Sequence, residues 1–272
     1  MSRVVLSPAV LHCRDVVHKA DPDRLLLAEL APEAQRPALW ALAAFNWEVE
    51  RIPERVSEPM LGAIRRQWWS DAWAEIAAGS PRRHPVVEAL AEANERTSFD
   101  LAMVEAILQG REAEQDGPPG DMADLERWAR QVGGGFARLE AQALGLTDTD
   151  AAAGIGAAWA QIGVLRSLPQ MLGRGRHQLP AALLTEHRVQ LDELDPASLP
   201  PGWQQLVAAV AASAQSHWPA SGPLPPLFRG YRRLGRLYQD RMRKADWNLF
   251  DARINAPTMG RAWQVLRVRL GG

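Results

Sequence analysis

Cysteine, tyrosine and long apolar runs are scarce in this chain, and each scarcity excludes something. Cys13 is the only cysteine among 272 residues, which rules out an internal disulfide framework and suits a reducing compartment. Two tyrosines and five phenylalanines leave little of the aromatic and β-branched alternation that marks strands. No apolar run reaches the roughly 18 to 20 residues needed to span a bilayer. The apolar part of the first eight residues is too short for a signal peptide, so the expected location is the cytoplasm, with peripheral contact at the inner membrane as the furthest excursion. A surplus of either charge is also missing: 31 Lys and Arg stand against 32 Asp and Glu. No global field recruits nucleic acid, and any charge effect must be local. The six histidines have neither His-x-x-x-His nor His-Glu-x-x-His spacing, which argues against a zinc site.

What is present is helix-forming. Ala, Leu, Arg, Glu and Gln dominate, and apolar residues recur with helical period over about ten segments: 22–30, 33–53, 58–78, 84–94, 98–111, 121–146, 149–172, 203–217, 226–244 and 257–270. Asp21-Pro22 and Ser57-Glu58-Pro59 read as helix starts, a capping side chain followed by proline in the first turn. Gly79-Ser80-Pro81 and Asp116 to Gly120 read as loops, as do the Pro-rich stretches 194–202 and 219–226. Neither Pro-rich stretch is long and the helices on both sides are alike, so one all-α domain over 1–272 is expected, with 47% hydrophobic residues to fill its core.

Four features carry chemical or packing information. Glu50 and Glu54 have i, i+4 spacing and could share a hard cation such as magnesium; equally, such pairs line solvated helix faces, and Pro53 should bend or end the helix between them. Gly133-Gly134-Gly135 would cost about 1 kcal/mol each inside a helix, so a bend or close approach should compensate. A phosphate-loop reading of that run, or of Gly154-Ile155-Gly156, fails for want of a preceding strand and of the G-x-G-x-x-G spacing. Trp69 and Trp73, one turn apart, read as core anchors, and Cys13 as a small buried apolar residue. Seven cations between Arg229 and Lys244 face one acid, Asp240; this is either a solvated face or a contact for an anionic membrane.

Several segments resemble the squalene/phytoene synthase family over roughly residues 22–270. Ala44 to Glu54 resembles its first metal-binding motif. Val164 to Met171 resembles the second, where the family carries carboxylates directly after an arginine; here Arg166 is followed by Ser167, Gln170 and Met171. Gly175-Arg176-x-x-Leu179-Pro180 resembles Gly-Arg-x-Tyr-Leu-Pro, with Gln178 in place of tyrosine, and Trp128 to Phe136 resembles the glycine-containing segment beside the prenyl tails. Phe45-Asn46, Val56-Ser57-Glu58 and Arg65-x-Gln67-x-Trp69 are closest to the branch containing the mitochondrial complex I assembly factor. The resemblance implies an isoprenoid synthase helical bundle around a central cavity. It places Phe45, Gly133, Gly134, Arg166 and Arg176 at a substrate or lipid site, where the two arginines could hold a phosphate or lipid head group or equally pair with helix C-terminal carbonyls or acidic neighbours, with Glu50 and Glu54 as the candidate metal ligands. Without the second carboxylate cluster the expected function is non-catalytic, acting in assembly of a respiratory complex with no cofactor. The expected partners are a respiratory-complex subunit or assembly intermediate, and a prenyl or lipid ligand. The alternative is a head-to-head prenyl transferase that uses magnesium and prenyl diphosphates.

Overall fold

The computed structural model describes residues 5–56, 58–219, 223–257 and 259–270; among them there are helices, turns and coil but no strand. The expected cap Ser57, residues 1–4 and part of the 219–226 stretch lie outside the described residues. The helices are α1 (Pro8–Ala20), α2 (Pro22–Ala28), α3 (Arg36–Glu50), α4 (Ile52–Arg55), α5 (Pro59–Ala77), α6 (Pro85–Thr97), α7 (Leu101–Ala113) and α8 (Met122–Ala129). A π-helical turn, Arg130–Gly134, joins α8 to α9 (Gly135–Ala143). Then follow α10 (Asp150–Leu172), α11 (Ala181–Glu186), α12 (Trp203–Ser216), α13 (Pro226–Lys244) and α14 (Met259–Arg269).

Local chemistry explains most of the boundaries. Asp21 caps α2, accepting from the Arg24 amide at 3.0 Å, with Pro22 in the first turn as expected. Ser7 caps α1 in the same way at 3.2 Å, a helix whose periodicity is not evident in the sequence reading. The 33–53 segment breaks in two: α3 ends at Glu50 and Pro53 sits in the first turn of α4, because proline has no amide to continue the α3 ladder.

The 121–146 segment is interrupted by the π turn, and here the glycines have a packing role. A Cβ on Gly133 would fall inside the radius of the Gly156 carbonyl oxygen, and one on Gly156 inside that of Gly133. The π turn and α10 therefore cross backbone against backbone, which only glycine at both positions permits. Around this crossing α10 packs against α8, α9, α12 and α13. One connected apolar core extends from Ala9 to Val268. It includes Trp69 and Trp73, which meet Phe45 edge-to-face at 5.2 and 5.4 Å, and Cys13, whose thiol burial pushes up to about 12.

Candidate functional site

A cavity of about 380 Å³ lies between α2, α3, α4, α7, the π turn and α10. Its charged groups fall into three clusters, each built from opposite signs.

The first cluster centres on Asp23, only 3% exposed. Arg166 on α10 and Arg261 on α14 each place a guanidinium nitrogen 3.0 Å from it, and the Tyr238 hydroxyl donates to it at 2.6 Å. Burial above all pushes the Tyr238 hydroxyl up to about 12, so it remains a donor. Arg166 is committed further: Nε donates to Asn255 Oδ1 at 3.0 Å, Asn255 Nδ2 donates back to the Arg166 carbonyl at 2.9 Å, and the guanidinium lies 3.5 Å over the Tyr238 ring.

The second cluster is held by Glu114. Arg111 Nη1 and Trp128 Nε1 donate to one of its oxygens at 2.8 and 2.9 Å, and Arg176 stands 3.9 Å from the other. Arg111 also reaches Asn46 at 3.4 Å and Glu50 at 3.5 Å. Glu54 pairs with Arg51 at 3.3 Å and with Arg174.

The third cluster sits deeper. Arg24 pairs through Nε with Asp21 at 3.1 Å and lies 3.9 Å over the Phe136 ring, while its Nη1 has no hydrogen-bond partner among the described residues. Behind it Glu140 is buried, accepting from the Tyr231 hydroxyl at 2.7 Å. Burial pushes the Glu140 carboxyl up to about 7 against the opposing pull of Arg24.

The lining thus sets Asp21, Asp23, Glu50, Glu54 and Glu114 against Arg24, Arg111, Arg166, Arg176 and Arg261, and is self-neutralised. Magnesium fits these residues poorly. It requires several free oxygen donors in octahedral array; Glu50 and Glu54 lie on different helices and face arginines, while Ser167, Gln170 and Met171 bring no carboxylate to the cavity. Among the described residues no three or more His, Cys, Asp or Glu side chains are grouped to hold a metal ion.

A match to the family described as squalene/phytoene synthase runs over residues 17–265. The chain belongs to the squalene/phytoene synthase family. It is 28% identical over 212 residues to the Mus musculus protein "NADH dehydrogenase (ubiquinone) complex I, assembly factor 6", covering 76% of this chain and 63% of that one. The chain therefore spans less than two thirds of that relative's length. Among solved structures, a dehydrosqualene synthase superposes with TM-score 0.79 at 17% identity, covering 97% of this chain and 96% of that one. Squalene synthase HpnC from Alicyclobacillus acidocaldarius superposes with TM-score 0.66 at 16% identity, covering 97% and 94%. The fold is the all-α isoprenoid synthase fold.

Of the residues singled out from the family resemblance, Glu50, Glu54, Gly133, Arg166 and Arg176 line the cavity. Phe45 does not: it is wholly buried against Trp69 and Trp73, because its side of α3 faces α5. Gly134 is absent from the lining as well, since it faces Ala153 on α10. The residues that organise the cavity and that the sequence reading missed are Asp23, Arg24, Arg111, Glu114, Tyr238 and Arg261. The only available signals were Asp23-Arg24 directly after the Asp21-Pro22 cap and the i, i+3 pair Arg111 and Glu114.

Proposed function

We propose that this chain is a non-catalytic squalene/phytoene synthase homologue acting in the assembly or maturation of a respiratory complex of the complex I kind, with its cavity kept as a site for a prenyl chain or lipid. The observation that carries this reading is the cavity wall of α10. Arg166 is bound to Asp23 and Asn255, and Ser167, Gln170 and Met171 follow it where metal-binding carboxylates would be needed. Ionising a prenyl diphosphate requires cations that neutralise the leaving group in the transition state; here the arginines are already neutralised by acids. The likeness to the mouse assembly factor supports the same reading.

Incubation with farnesyl or geranylgeranyl diphosphate, magnesium and NADPH, followed by extraction, should yield no squalene, phytoene or cyclopropyl intermediate. Product above background would favour the prenyl transferase reading, for which Glu50 and Glu54 at the cavity are the supporting observation. Deleting the gene in its own host should lower the amount of assembled NADH-oxidising complex on native gels. An unchanged amount would refute the assembly role.

A further inference from the structure

The face formed by α13 and α14 lies apart from the cavity and combines unpaired charge with exposed apolar surface. On α14, Val265 and Val268 are buried while Met259, Trp263, Leu266 and Leu270 project from the opposite side, Met259 at 85% and Trp263 at 55% exposure. Their spacing of i, i+4, i+7 and i+11 forms one stripe about 17 Å long. No acid occurs in α14, and Arg267 and Arg269 flank the stripe.

On α13 the expected basic surface narrows. Arg241 is used up on the carbonyls of Ile254 and Ala256, and Arg243 pairs with Asp240. Arg229, Arg232, Arg233 and Arg236 remain on one side of the helix, with Lys244 exposed at its C-terminal end; among the described residues no acid forms an ion pair with any of them. Burial, with the repulsion of the other three, lowers the Arg232 pKa.

Helix α2 brings the two elements together. At its start Asp23 binds both Tyr238 and Arg261. Towards its end Leu27 and Leu30 press on Gly230, while Leu26 and Glu29 border the same depression as Leu266 and Arg269. Hence α13 and α14 pack side by side against α2, with the four unpaired arginines towards the end of α2 away from Asp23.

We propose that this face docks on the surface of an anionic lipid bilayer. A cluster of like charges with no internal acid is relieved by an external layer of anions, and an adjacent stripe of Trp, Leu and Met beside snorkelling arginines is the composition that seats a helix at the headgroup boundary. The inference is independent of the reading of the cavity.

The full chain should cosediment with phosphatidylglycerol/phosphatidylcholine vesicles and not with phosphatidylcholine alone, and the bound fraction should fall steeply with added salt. Arg233→Gln/Arg236→Gln should lower partitioning roughly 30-fold. Trp263→Ser/Leu266→Ser, which leaves the arginines in place, should weaken binding and leave the remainder wholly salt-sensitive. Both variants alter surface side chains and should melt with the parent chain. Recovery in the supernatant with both vesicle types would overturn the proposal and leave the face to a protein partner; so would unchanged binding by the Trp263→Ser/Leu266→Ser variant.

Discussion

Asp23 and Arg166, from α2 and α10, meet at 3.0 Å with the carboxylate almost wholly removed from solvent. Three donors converge on that one carboxylate, so the pair ties α2, α10, α13 and α14 together at the cavity wall. Removing the acid alone strands two guanidinium groups. Asp23→Ala should therefore lower the unfolding free energy by about 3 to 5 kcal/mol, whereas Tyr238→Phe, which leaves both ion pairs intact, should cost about 1.5 to 2 kcal/mol. Urea denaturation of the two variants checks the ranking, and equal losses would contradict it.

The glycines of α10 should separate cleanly. Gly156→Ala drives a methyl into the Gly133 carbonyl and forces the crossing apart, at a cost of about 3 kcal/mol. Gly163→Ala meets nothing within 4 Å and should stabilise by about 0.5 to 1 kcal/mol through helix propensity. Thermal melts of opposite sign are the expected result.

Stability should fall as pH rises towards neutrality. Burial raises the Glu140 carboxyl from its ordinary value of 4.5 to about 7 in the folded state, so the folded chain holds a proton that the unfolded chain has released between those values. The contribution is complete below the unfolded pKa and is lost as pH rises through the folded one. It amounts to on the order of 3 kcal/mol. Asp21 is shifted in the same direction, again by burial first, and being about a third exposed contributes less. Arg24 and Tyr231, the other groups facing Glu140, stay protonated throughout. Glu140→Gln should flatten the profile of melting temperature between pH 5 and 7; an unaltered slope would assign it elsewhere.

Millimolar magnesium should leave the melting temperature unchanged, because a ligand raises it only by binding the folded state and the cavity acids are paired with arginines. A rise of several degrees that Glu50→Gln abolishes would restore Glu50 and Glu54 as ligands.

Helix periodicity made α10, α12 and α13 legible, because each buries apolar residues along its length; α5 was legible from the proline at its start and buries apolar side chains only from Trp69 to Ile76. Helix α1 escaped notice because its buried positions, Ala9, Val10, Cys13 and Val17, are small and few. At the cavity, Arg166 and Arg176 were found by position in a motif, yet their partners were not: Asp23 and Glu114 come from distant helices, and no local pattern reports a long-range ion pair. The significance of Gly154-Ile155-Gly156 was hidden for a similar reason. What Gly156 makes possible is the approach of a second helix, and that helix is elsewhere in the chain.

The π turn also keeps two halves of one rod out of phase. It holds one residue more than an α-helical turn, so α9 is rotated by about 100° from the setting it would have as a straight continuation of α8. That offset lets Trp128 point into the cavity from one half while Glu140 reaches Tyr231 from the other. Loss of a single residue from the glycine run would bring the halves into step and swing Glu140 away from its partner. The length of that run, as well as its composition, therefore sets which side chains the bundle can bring inward.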